Sequence, residues 1–171
     1  MDWLVIGLRI IHIFSAVIWA GGTALFFFYL EPTIAKLGPD AEKFTDEVVN
    51  KRKAPIYFLM ASTFTVLGGA LLYWHDSSGL SLDWIGTATG LGFTVGGIAG
   101  ILAWLGSNLL IPRTLMQLGA IGAQMKGDGP PAPDLVARLH ATQERLHTIG
   151  LIDIVLIGIA VLGMATARYL G

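Results

Sequence analysis

A chain of 171 residues in which 54% are hydrophobic and only 13% are charged is not an ordinary soluble domain. Soluble domains carry roughly 25% charged residues, so charge is depleted by half. A net charge of −1 gives no reason to expect nucleic acid as a partner, and the absence of cysteine excludes disulfides, thiolate metal sites and thiol catalysis.

The remaining charge is segregated. Four apolar windows, at about 4–30, 56–75, 86–111 and 148–168, each approach the length a spanning helix needs. The first begins directly after Met1-Asp2-Trp3, without a preceding positive charge, and is far longer than a signal-peptide core, so it reads as a retained helix. Glu31-Pro32 marks its predicted end. The connection that follows holds Lys36, Lys43, Lys51, Arg52 and Lys53, and its Pro39-Asp40-Ala41-Glu42-Lys43-Phe44 opens like a helix, with proline and acids in the first turn. The second connection, His75 to Trp84, has no lysine or arginine.

The third window is dense in glycine. Gly92, Gly96 and Gly100 lie four apart and share one face, where another helix can approach closely. Packing within the bundle is the first reading of that face. A homodimer seam and room for a flat cofactor are the alternatives. The third connection, Pro112 to His147, carries Arg113, Lys126, Arg138 and Arg145. Its stretch from Lys126 to Pro133 reads as an extended linker. Asp134 is the expected N-cap of a helix running from Leu135 through Arg145 into the fourth window.

Lysine and arginine bias places the first and third connections in the cytoplasm and both termini outside. Trp3, Trp74, Trp84 and Tyr169 then fall at the outer boundary, as an interfacial aromatic belt would. The expected fold is therefore all-α: an integral membrane four-helix bundle, one domain over 1–171, with the lipid bilayer as its first partner.

Ionisable residues inside spanning helices are costly and point to function. Arg9, His12, Ala16, Trp19 and Thr23 recur at three- and four-residue spacing, so they share one face of the first helix. An imidazole on an iron, with propionates reaching outward to an arginine, fits that face. So does a structural histidine with Arg9 snorkelling to the interface. A second axial ligand would come from His75, shallower and beside Trp74, or from Met164 in the fourth helix. His140, Glu144 and His147 could line one face as a divalent-metal array, although a solvated amphipathic helix accounts for them more simply. Asn108 and Asp153 lie at comparable depth and could bond to each other or contribute to a proton path. No phosphate loop, nucleophile elbow or zinc-protease signature is present, so catalytic residues are not assigned.

Arg9-x-x-His12 through Trp19-x-Gly21-Gly22 resembles the opening helix of the copper-resistance D-type membrane domain family, a pattern shared with the small haem-containing protoporphyrinogen oxidases of bacteria. Thr65-Val66-Leu67-Gly68-Gly69-Ala70-Leu71-Leu72 and the four-helix layout are similar as well. The resemblance implies haem b bound through His12 as iron ligand, in the bacterial inner membrane. It also implies a functional lysine at the start of the third helix in the oxidase branch. Here that stretch is Trp84-Ile85-Gly86-Thr87-Ala88-Thr89-Gly90, without lysine. With five methionines and no cysteine, soft ligands for Cu(I) transport are few.

The leading expectation is a haem-b-binding electron-transfer protein, with His12 on the iron, Arg9 toward a propionate and Trp19 as a pocket wall. A quinol or a porphyrin-like molecule would be the donor. The alternatives are a cofactor-free transporter of a small solute or ion, with His12, Asn108 and Asp153 along its path, and an assembly subunit docking through the glycine face.

Overall fold

The computed structural model describes residues 2–125 and 130–170, and all regular structure among them is helical. Four helices are long and apolar enough to cross a membrane: α1 (Trp3–Leu37), α2 (Ala54–Asp76), α3 (Ala88–Gln124) and α4 (Pro133–Tyr169). Residues 126–129 of the expected linker lie outside the described residues.

Local chemistry sets the helix starts. The Asp2 carboxylate accepts from the backbone N–H groups of Leu4 and Val5, at 3.1 and 3.4 Å, and caps α1. Thr87 Oγ1 accepts from Gly90 N at 3.0 Å and caps α3. Asp134 is not a cap: Pro133 occupies the first helical turn, Ala132 precedes it, and Asp134 lies inside that turn. There its charge meets the N-terminal end of the helix dipole without accepting an N–H bond.

Two helices pass the prolines expected to end or flank them. α1 continues through Pro32 to Leu37, and α3 continues through Pro112 to Gln124. A proline inside a helix lacks one N–H donor and crowds the carbonyl four residues back. Both helices absorb this with one widened turn just before the proline. Glu31 N–H reaches the Phe26 carbonyl and Ile111 N–H reaches the Gly106 carbonyl, each five residues back. The spans inferred as 4–30 and 86–111 are thus the first parts of longer helices.

Residue pairings give the topology. His12 lies on Gly68 and Gly69 while Gly22 meets Phe58, so α1 and α2 run antiparallel. Tyr73 bonds Thr94 and Trp104 bonds Thr63, which makes α2 and α3 antiparallel. Gly92, Gly96 and Gly100 face Ala167, Met164 and Ala160 respectively, so α4 takes up the glycine face within the chain. Phe27 packs on Gly150 and closes the ring between α1 and α4. Both described chain ends therefore lie at one end of the bundle, the terminal end, and the two lysine- and arginine-bearing connections lie at the other, the basic end.

At the centre, Trp19, Ala61, Ala103 and Ile157 form the buried core, one residue from each helix. Long apolar side chains such as Ile10, Phe14, Phe64, Val95 and Val155 point outward and are exposed. That arrangement inverts the usual order of a soluble domain and fits helices whose outer faces meet lipid.

Candidate functional site

His12 sits one helical turn before Ser15 on the α1 face that meets α2. Its Nδ1 lies 2.7 Å from the Thr65 carbonyl oxygen. A carbonyl only accepts, so Nδ1 carries the hydrogen, and in the neutral ring the lone pair is on Nε2. Nε2 has no hydrogen-bond partner among the described residues. The close approach depends on glycine: a Cβ at Gly69 would stand 2.9 Å from His12 Cε1, and one at Gly68 would stand 3.3 Å from His12 Cβ.

Ser15 and Thr65 complete the contact. Thr65 Oγ1 donates to the Ala61 carbonyl at 2.8 Å and lies 3.1 Å from Ser15 Oγ. Ser15 Oγ in turn bonds the Ile11 carbonyl, so both hydroxyls are satisfied within the α1–α2 seam. Small hydroxyl residues in apolar helices carry little signal by themselves, and Ser15 and Thr65 were not expected here. Their spacing from His12 and Gly69 was the available clue.

Trp19 is 5% exposed and packs in the core, and its Nε1–H has no acceptor among the described residues. Arg9 and His12 share the predicted face, but Arg9 has a partner that spacing did not reveal. Its guanidinium lies 3.8 Å from the Asp76 carboxylate at the end of α2, with the Arg9 side chain 41% exposed. An ion pair so open to solvent stabilises little, so Arg9→Gln should change the melting free energy by less than about 1 kcal/mol. Thermal melts in detergent check this.

His75 joins the same terminal-end cluster. Its Nδ1 is 3.2 Å from Asp76 and its Nε2 is 3.7 Å from Asp2. It is six residues beyond Gly69 on α2, roughly 9 Å along the helix at the usual rise. Met164 packs its Cγ against Gly96 in the α3–α4 seam, whereas His12 occupies the α1–α2 seam. Neither candidate second ligand is thus brought against His12.

A second polar centre lies nearer the basic end. Asp153 is 1% exposed; its Oδ2 accepts from Ser107 Oγ at 2.6 Å, and its Oδ1 has no partner among the described residues. Asn108 turns instead to Ser62, donating from Nδ2 at 3.1 Å, and to the Trp104 carbonyl at 2.8 Å. The suggested Asn108–Asp153 bond is therefore replaced by two separate pairs.

Below Asp153, His147 lies 3.3 Å from the Glu31 carboxylate and stacks on Phe27 with ring centroids 5.1 Å apart. Glu31, read in the sequence as a helix end, is a largely buried partner of α4. His140 and Glu144 are exposed, and among the described residues no three His, Cys, Asp or Glu side chains converge to hold a metal ion. Compared with known protein families, curated proteins and solved structures, the chain matches none.

Proposed function

We propose that this chain is a haem-b-binding redox protein that spans the bacterial inner membrane four times, with its termini outside and its basic connections in the cytoplasm. The observation that carries the reading is the His12 Nδ1 bond to the Thr65 carbonyl at 2.7 Å. A histidine whose Nδ1–H is held by a carbonyl presents a fixed, more basic Nε2, which is how protein-bound metals are commonly ligated. That single free nitrogen, Nε2 of His12, is the donor an iron porphyrin would use. His12 would hold the iron, Arg9 would exchange its exposed Asp76 contact for a propionate, and Trp19 would wall the pocket.

Haem, when bound, supplies one-electron chemistry to a donor such as a quinol or a porphyrin-like molecule. The chain's own part is to fix the imidazole tautomer through Thr65, hold the ring close to α2 through Gly69, and keep the seam dry. The exposed apolar side chains and the length of all four helices support the membrane placement, and the lysine and arginine bias supports its orientation.

The test is the visible absorption of protein purified after haem-sufficient expression. A Soret band is expected in the wild type and lost or strongly weakened in His12→Ala. A colourless wild type would sink the proposal. Unchanged colour in His12→Ala would move the ligand elsewhere.

A further inference from the structure

Asp153 is the most deeply buried acid among the described residues and has no role at His12. A carboxylate taken out of water needs a counter-charge or a full set of donors. Asp153 has one donor, Ser107 Oγ at 2.6 Å, and its Oδ1 is unpartnered among the described residues. No lysine, arginine or histidine comes within ion-pair distance of it there. Space at Oδ1 is small, since a Cβ at Gly106 would already stand 3.1 Å away. A hydrated or multiply coordinated cation does not fit so tight a place with so few oxygens. A proton does.

The elements packed around Asp153 differ in what they offer. α3 supplies Ser107, which does not titrate in the accessible range, and the Asn108–Ser62 pair between α3 and α2 is separate from it. α1 supplies Glu31, and α4 supplies His147 below it. Gly150 lies three residues before Asp153 on the same buried side of α4, about 4.5 Å along the axis. A Cβ there would stand 3.7 Å from Glu31 Oε2 and 2.9 Å from the Phe27 ring. The missing side chain at Gly150 thus lets the Glu31 carboxylate lie against α4 one turn below Asp153. His147, 61% exposed at its side chain, connects Glu31 with solvent at the basic end.

We propose that Asp153 binds and releases a proton inside the bundle, and that His147 and Glu31 form its entry from the basic end. The transfer moves only a proton. The imidazolium of His147 gives its Nδ1 proton to the Glu31 carboxylate and is reprotonated by a hydronium from solvent. Glu31, one turn from Asp153 and not in contact with it, passes a proton on to Oδ1 through an intervening water. Release reverses the order. The site requires no cofactor at His12, so it stands or falls separately from the haem reading.

Infrared difference spectroscopy on the full-length protein in proteoliposomes tests this, following the carbonyl stretch of a protonated carboxylic acid. The band is expected in the wild type, lost in Asp153→Asn, and shifted in Ser107→Ala, which removes the one hydrogen bond to Asp153. If Asp153→Asn fails to fold, the Ser107→Ala shift still assigns the band. Exchange of that band in D2O should slow about a hundredfold in Glu31→Gln, the scale on which one positioned proton-transfer group acts. Four results would overturn the proposal: absence of an acid band at every pH where the protein stays folded, a band indifferent to both Asp153→Asn and Ser107→Ala, exchange unaffected by Glu31→Gln, or displacement of the band by sodium ions at fixed pH, which would make this a sodium site.

Discussion

Gly69→Ala is expected to dislodge the His12 imidazole and, if His12 holds haem as proposed, to weaken haem retention about ten- to a hundredfold, the range over which losing a supporting partner weakens a metal ligand. The new Cβ would stand 2.9 Å from Cε1 and 3.1 Å from Nδ1. Both atoms belong to a planar ring, so no flexible tip can swing away. The ring can relieve the clash by rotating, which breaks the 2.7 Å bond to the Thr65 carbonyl and releases the tautomer. It can also push α1 from α2, which opens the Ser15–Thr65 contact. Haem titration of the purified variant measures the first outcome, and circular dichroism shows whether the helices persist. Retention equal to wild type would mean that iron does not depend on this imidazole geometry.

Because the acceptor is a backbone carbonyl, no side-chain substitution at Thr65 removes it directly. Gly69→Ala is therefore the cleanest way to disturb tautomer and ring orientation while leaving His12 in place. Together with His12→Ala, it separates loss of the ligand from loss of its positioning.

How much of this was legible in the sequence follows from the range of each signal. The four long apolar helices were legible because hydropathy is summed over many residues. The face shared by Arg9, His12 and Trp19 was legible because helical spacing is local. Helix ends were less so. Pro32 and Pro112 looked like boundaries, since a single proline normally stops a helix, and the widened turns at Phe26 and Gly106 that let them continue leave no compositional mark. Cross-helix partners were the least legible. The Arg9–Asp76 pair, the Thr65 carbonyl on His12 and the Glu31–His147 contact depend on the register between helices. A hundred residues and more separate Glu31 from His147, and neither lies in a motif. The glycines held the missing information in another form: Gly69, Gly150 and Gly96 are small because His12, Phe27 and Met164 lie on them. In a single sequence, that reason is hidden.

Among the described glycines, Gly90→Ala is the most damaging alanine substitution. A Cβ there would lie 2.0 Å from the Trp84 carbonyl oxygen and 2.9 Å from Ile85 Cα, all backbone atoms of the short helix Leu82–Ile85 that folds back on the start of α3. That corner is tied down on every side. Thr87 Oγ1 donates to the Trp84 carbonyl at 2.7 Å and accepts from Gly90 N at 3.0 Å. The Trp84 ring stacks on Phe93 and meets Tyr73 edge-on, and Tyr73 bonds Thr94 at 2.6 Å. Moving the carbonyl breaks the cap and the aromatic contacts together, so the cost should reach the upper end of overpacking, about 3 kcal/mol. A lowered melting temperature, with loss of the near-ultraviolet tryptophan signal, would report it. Gly97→Ala supplies the contrast within the same helix, because a Cβ there meets nothing within 4 Å. It should be neutral or stabilising by up to about 1 kcal/mol, the helix preference of alanine over glycine. Equal effects from the two substitutions would mean that backbone preference, not the Trp84 corner, governs stability at this end of α3.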